Sequence, residues 1–369
     1  MYDFKKLTHP GIQSLNPYAP GKSIEEVARE QGITDIIKLA SNENALGCSE
    51  NVLQAIWNLS KEDTALYHTS TTHPFRSELA KFLQIDQEML TLSNGSDLLI
   101  CLLLICFAIN KNCHILTHDY AFVSYEIQAK TLGVPCYKTQ APNFKVDIDT
   151  LINTCTTQTA IIFLANPNNP TGLLIEYAEI KRLLESVPKT TIVVLDEAYY
   201  EFAKDDFYGN SVDLINEHPN LVIMRTFSKA YGLAGLRLGY AISNEQITNL
   251  LYSVQLPFSV NIASLAAASA AIQDQEFIKK TLENTKEGLV QMQQALNKLG
   301  FSYLESHANF ITIDCKKDGN PIFEKLQQSG IIVRPLHPYK MTNYLRVTIG
   351  TEEQNERFLK VFAQVMGEN

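Results

Sequence analysis

Predominantly apolar stretches of strand length recur through the middle of the chain, at residues 114–117, 160–165, 191–195 and 221–225, and read as buried strands. Between them apolar positions return at helical spacing, as at 120–132 and 175–187. That alternation is the sequence form of right-handed crossovers in a parallel sheet, so the expected fold class is α/β. After Gly239 the texture changes to longer helix-favouring stretches, Ala-rich at 262–272 and polar-amphipathic at 274–299, which read as a connector into a second domain. The tail supplies strands at 309–313 and 345–349 and helices at 321–329 and 352–365, enough for a smaller α+β domain. The first 35 residues hold Pro10, Gly11, Pro17, Pro20 and Gly21 before a helix-like 23–31, and read as an arm. The expected division is an arm at 1–35, a large domain at 36–260, and connector helices with a small C-terminal domain at 261–369.

Composition narrows the class. The chain has 369 residues, 45% hydrophobic and 19% charged, which suits a soluble globular protein. With 40 acidic against 31 basic residues and a net charge of −9, its surface is not built to neutralise nucleic acid or anionic lipid. The apolar run at 98–109 falls short of the ~20 residues of a membrane-spanning helix and reads as a buried core helix. The first ten residues carry mixed charges and no apolar stretch, so a cytoplasmic protein is expected. Seven cysteines, an odd number without a CxxC pair, argue against a disulfide framework or a zinc site, and no metal is expected.

In an open parallel sheet the ligand lies beyond the carboxyl ends of the strands, so residues that follow the predicted strands locate the site. The loop 166–172, with Asn166, Asn168 and Asn169 among two prolines and a glycine, is by itself a turn that leaves amide donors available. Asp196 directly follows the third run and, taken singly, is a helix cap or half of an ion pair. Ser228-Lys229 follows the fourth, ahead of Gly232, Gly235, Arg237 and Gly239. A lysine there suits neither core nor solvated face, whereas a desolvated lysine has a lowered pKa and condenses with an aldehyde. Ser228 and Arg237 offer a hydroxyl and a planar cation to a phosphate. Gly95, Ser96 and Asp97 open the apolar helix, whose free N–H groups also bind phosphate, although Ser96 or Asp97 alone reads as a cap. A Schiff-base lysine, a carboxylate for a pyridinium nitrogen, a tyrosine and an asparagine for a phenolic oxygen, and a phosphate cradle together describe pyridoxal phosphate.

The string 228–240, with 166–172 and 196–199, resembles the aspartate-aminotransferase, or fold type I, superfamily of pyridoxal phosphate enzymes. Segments 16–22, 39–44, 94–97, 333–335 and 345–350 are similar to the histidinol-phosphate aminotransferase family. The resemblance implies a mostly parallel central sheet covered by helices, a smaller α+β C-terminal domain, an N-terminal arm and a homodimer. By position it implies that Lys229 carries the cofactor aldehyde, Asp196 pairs with the ring nitrogen, and Tyr199 and Asn169 hold the ring oxygen. Ser228, Arg237 and the amides near Gly95, Ser96 and Asp97 hold the phosphate, with Tyr67 reaching it from a neighbouring subunit. Phe122 stacks on the ring, with Tyr120 as the alternative. Arg346 grips the acidic group of the substrate, Arg334 and Tyr18 take the phosphate of histidinol phosphate, and Asn42 and Asn169 complete the substrate-binding set. The implied reaction is ping-pong transamination of histidinol phosphate with 2-oxoglutarate in histidine biosynthesis. Aromatic amino-acid aminotransferases share all the cofactor residues, and the scaffold also hosts decarboxylases of phosphorylated amino acids.

Overall fold

The computed structural model describes residues 3–13, 15, 23–69, 71–203 and 209–367. In chain order the first strands are β1 (Ile37–Lys38), β2 (Leu90–Ser93), β3 (His114–His118), β4 (Cys136–Thr139) and β5 (Thr159–Ala165). They are followed by β6 (Ile192–Asp196), β7 (Leu221–Thr226), β8 (Gly239–Ile242), β9 (Tyr303–Leu304) and β10 (Phe310–Asp314). The last are β11 (Ile331–Ile332), β12 (Arg334–Leu336) and β13 (Met341–Thr348). Seven of them form one sheet in the order β2-β8-β7-β6-β5-β3-β4, parallel except for β8, which runs antiparallel to both β2 and β7.

The continuous apolar runs follow from cover on both faces of this sheet. Ile162, Leu164, Val193 and Leu195 face one core, shared with α2 (Glu50–Trp57) and α3 (Pro74–Leu83). Ile161, Phe163, Val194 and Met224 face the other, beneath α4 (Ser96–Phe107) and α5 (Val123–Thr131). The run at 98–109 is the body of α4, and its Leu99, Ile100 and Leu102–Leu104 are buried. The helix expected over 120–132 starts only at Val123, because Tyr120 adopts a left-handed φ of 63° and Phe122 caps the helix from a non-helical conformation.

A second, antiparallel sheet in the order β12-β13-β10-β9 carries the C-terminal part of the chain. β1 pairs in parallel with β11, and Leu39 packs among Ile311, Ile331 and Phe358. Residues just past the arm are thereby built into the C-terminal core. The arm helix α1 (Ile24–Gln31), capped by Ser23, buries Val27 against Ala40 and Ile332. The Ala-rich helix (Ile262–Gln273) packs its small residues on the large-sheet core. The next helix (Gln275–Leu299), about 37 Å long at 1.5 Å per residue, buries Ile278 in that core and Met292 and Leu296 in the C-terminal one. No helix among the described residues is long and apolar enough to cross a membrane.

Candidate active site

The carboxyl ends of β5, β6 and β7 lie side by side, since Ala165 pairs with Asp196 and Asp196 with Met224. β2 ends at the same edge, where Ser93 and Thr226 both pair with Gly239. The sheet order reverses between β3 and β5, the switch point at which open α/β sheets leave a crevice. Loops from these strand ends, together with residues 40–42, β12 and β13, enclose a cleft of about 250 Å³.

Most of the side chains singled out from the sequence meet there: Asn42, Ser96, Asp97, Phe122, Asn169 and Asp196 line the cleft, as do Tyr199, Ser228, Lys229, Arg237, Arg334 and Arg346. Gly95 sits immediately behind, as the residue that caps α4. Of the two aromatic candidates only Phe122 lines the cleft, whereas Tyr120 packs its ring on Phe144 at 4.9 Å. Tyr67 does not line it: 83% exposed, it stacks on Phe258 at 4.5 Å. Tyr18 lies outside the described residues.

At one side of the cleft Lys229 Nζ donates to the Ser41 carbonyl at 3.0 Å. Burial disfavours the ammonium and, with the nearby Arg346 cation, brings it down to about 8. Asp196, at the end of β6, accepts at Oδ2 from the Tyr125 hydroxyl at 2.8 Å, and Oδ1 has no hydrogen-bond partner among the described residues. Burial pushes this carboxyl up to about 7, with the Tyr125 hydrogen bond acting in the opposite direction. Asn42 Nδ2 donates to the Tyr199 hydroxyl at 2.7 Å, so the Asn42 amide orients that phenol. Burial raises the Tyr199 phenol to about 12, leaving it a hydroxyl donor at neutral pH.

The loop before α4 turns on Gly95 at a φ of 75°. A Cβ there would lie 2.5 Å from Arg237 Nη2. Arg237 Nη1 donates to Ser228 Oγ at 3.3 Å, while its Nη2 lies 3.6 Å from Asp97 Oδ2. Backbone, hydroxyl and guanidinium donors thus converge on one corner. Across the cleft, Arg334 on β12 pairs in register with Arg346 on β13. Arg346 donates to Asn169 Oδ1 at 2.5 Å and to the Ala40 carbonyl at 2.7 Å, which fixes its guanidinium.

Ser41, Tyr125 and Tyr339 also belong to the site and were not singled out from the sequence. Tyr125 carried a signal, lying three residues after Phe122 on the same helical face. Ser41 acts through its backbone and Tyr339 arrives from the C-terminal sheet, so neither leaves a local pattern. Directly behind Asp196, Arg225 Nε donates to Glu197 Oε2 at 2.7 Å, with both side chains buried. The Arg225 guanidinium lies 3.6 Å from the Tyr200 ring centroid.

The family described as aminotransferase class I and II matches residues 34–362. The chain belongs to the class I and II aminotransferases. Histidinol-phosphate aminotransferase 2 of Legionella pneumophila strain Paris is 57% identical to this aminotransferase over 358 residues, 97% of each chain. Histidinol-phosphate aminotransferase 2 of Pasteurella multocida strain Pm70 is 41% identical over 361 residues, 98% of each. The crystal structure of histidinol-phosphate aminotransferase from Sinorhizobium meliloti in complex with pyridoxal-5'-phosphate matches with a TM-score of 0.88 at 25% identity, covering 98% of both chains. The fold is that of the fold type I aminotransferases.

The residues of this aminotransferase fit pyridoxal phosphate. A buried lysine with a depressed pKa suits an aldehyde, the unpartnered Asp196 Oδ1 suits a ring N–H, and the corner at Gly95, which a Cβ would fill, suits a phosphate.

Proposed function

We propose that this aminotransferase interconverts histidinol phosphate and imidazole-acetol phosphate, with glutamate and 2-oxoglutarate as the second amino pair, in histidine biosynthesis. The observation that carries the reading is the pairing of Arg334 with Arg346 in the cleft that holds Lys229 and Asp196. Guanidinium groups bind both carboxylates and phosphates through paired N–H donors, so one pocket can take glutamate and a phosphate ester in turn. Glutamate brings two carboxylates and histidinol phosphate one doubly charged phosphate to this pair of guanidinium groups, whereas an aromatic amino acid brings one singly charged carboxylate.

The cofactor is pyridoxal 5'-phosphate, which when bound supplies an aldehyde and an electron-withdrawing ring that takes up the electron pair released at the substrate's α-carbon. Lys229 would hold it through Nζ, and the same nitrogen, when free, would move the substrate's α-proton. Asp196 Oδ1 holds the proton of the ring nitrogen. Tyr199 and the Asn169 amide hold the ring oxygen, and Phe122 covers the ring face. Gly95, Ser96 and Asp97, through backbone amides, hold the phosphate with Ser228 and Arg237. Asn42 orients Tyr199, Arg346 takes the substrate's acidic group, and Arg334 and Tyr18 take its phosphate.

The working assembly in this reading is a homodimer. Tyr67 and Phe258 form an exposed aromatic stack flanked in sequence by exposed Leu66 and Leu256. Asn94 donates to the Ser259 carbonyl, so this surface adjoins the phosphate corner that a partner's tyrosine would complete. The same reading retains an arm, a large domain and a C-terminal domain, and places the enzyme in the cytoplasm, where its seven free thiols persist reduced.

The deciding measurement is kcat/KM for histidinol phosphate with 2-oxoglutarate beside that for phenylalanine. A preference for the phosphate ester of tenfold or more is expected, and Arg334→Ala should remove most of it, about 1.5–3 kcal/mol for a charged hydrogen bond. Equal use of both substrates by the unmodified enzyme would move the assignment to aromatic amino acids, and release of carbon dioxide would move it to decarboxylation.

A further inference from the structure

We infer that Tyr125 is a positioning residue for Asp196: its hydroxyl fixes Oδ2 so that Oδ1 is left for the cofactor ring nitrogen. The inference rests on the assignment of pyridoxal phosphate to this cleft. Three observations carry it. The Tyr125 hydroxyl donates to Oδ2 at 2.8 Å. Oδ1 of the same carboxylate is buried and has no partner among the described residues. The Tyr125 side chain has no freedom to do otherwise, being fully buried, stacked on Phe163 with centroids 4.8 Å apart and planes at 14°, and set edge-on to Phe122 at 5.6 Å.

A lone buried carboxylate can rotate and can carry a proton on either oxygen. A donor locked on Oδ2 removes the rotation and stabilises the anion. Two charged groups near Asp196 work against the anion: Asp97 at the start of α4, and Glu197 next in the chain, itself paired with Arg225 on β7. Tyr199 and Tyr339 are further titratable neighbours, and the Lys229 and Arg346 cations line the same cleft. Tyr125 is the larger of the two donors that oppose burial at this carboxylate, the other being the Ala198 backbone amide. A proton shared between Asp196 Oδ1 and a ring nitrogen then resides on the nitrogen, where it draws electrons out of the substrate's α-carbon. Without the hydroxyl the carboxylate becomes the stronger base and takes the proton back.

The test is Tyr125→Phe, which keeps the ring and its stack on Phe163, in holoenzyme reconstituted with cofactor labelled at the ring nitrogen. Nitrogen magnetic resonance reads protonation of that atom directly. The wild type should show a protonated nitrogen across neutral pH, and Tyr125→Phe should lose it at a midpoint at least one pH unit lower. kcat should fall about tenfold per unit with KM little changed, because the residue touches no substrate. In an Asp196→Asn background the same substitution should leave the nitrogen signal and the cofactor affinity unaltered, since there is no carboxylate to position. An unchanged nitrogen midpoint in Tyr125→Phe, or an equal effect with and without Asp196, would overturn the inference. A wild-type protein that forms no chromophore with the cofactor, or whose ring nitrogen is unprotonated throughout, would instead overturn the reading on which it rests.

Discussion

Lys229 and Asp196 show how burial converts ordinary side chains into reactive ones. The amine is removed from water among neighbours that include the Arg346 cation, and both effects favour its neutral form. The sign is direct: with a pKa of about 8, about a quarter of the amine is neutral at pH 7.5, against about one part in a thousand at its ordinary 10.5. The rate at which apoprotein takes up pyridoxal phosphate, followed by absorbance, should therefore rise with pH and level off above about 8. A rise continuing past pH 10 would show the lysine to be solvated. The sequence singled out this lysine, because its position among glycines after a strand suited no structural role, and the structure buries it in the cleft. It did not identify Tyr125, since a tyrosine inside a helix has the same local signature whether it only fills core or also holds a carboxylate.

At the scale of elements, the phosphate corner depends on where α4 begins. Gly95 holds a φ of 75°, and the space a side chain would need is occupied by Arg237. Gly95→Ala should weaken cofactor binding about tenfold or more, through backbone strain of about 1 kcal/mol and displacement of the guanidinium. Gly235→Ala is the control, because a Cβ there meets nothing within 4 Å and φ is not positive. Comparable losses in both variants, measured by equilibrium titration with cofactor, would remove the steric argument. The long buried strands and the helices between them were legible from apolar runs. The short strands β2, β4 and β8 were not, since Thr91 and Ser93 interrupt β2, Lys138 and Thr139 interrupt β4, and β8 opens on Gly239. The late start of α5 is set by Tyr120, whose left-handed backbone has no warning in its residue type.

The molecule as a whole places Arg334 and Arg346 on one sheet, and Asp196 and Lys229 at the ends of strands β6 and β7 of another, so the cleft exists only where the two units meet. The partner contribution from Tyr67 is a claim at this scale. Mixing Lys229→Ala with Tyr67→Ala chains and allowing exchange should produce heterodimers with one intact site, and activity near about a quarter of wild type. Activity no greater than the sum of the parent variants would place Tyr67 outside the partner's site.

Within the chain, order and spacing alone determined the α/β class, the strand ends that carry the chemistry, and the residue types that match one cofactor. These are local properties, because a strand end is read from where an apolar run stops. Only the tertiary structure decided that Phe122 rather than Tyr120 reaches the cleft, that β1 joins the C-terminal core through β11, and that Asn169 grips Arg346 while Asn42 grips Tyr199. Such pairings join residues far apart in sequence, and the free energy that selects them comes from burial and hydrogen bonding between elements, which no single stretch of chain contains.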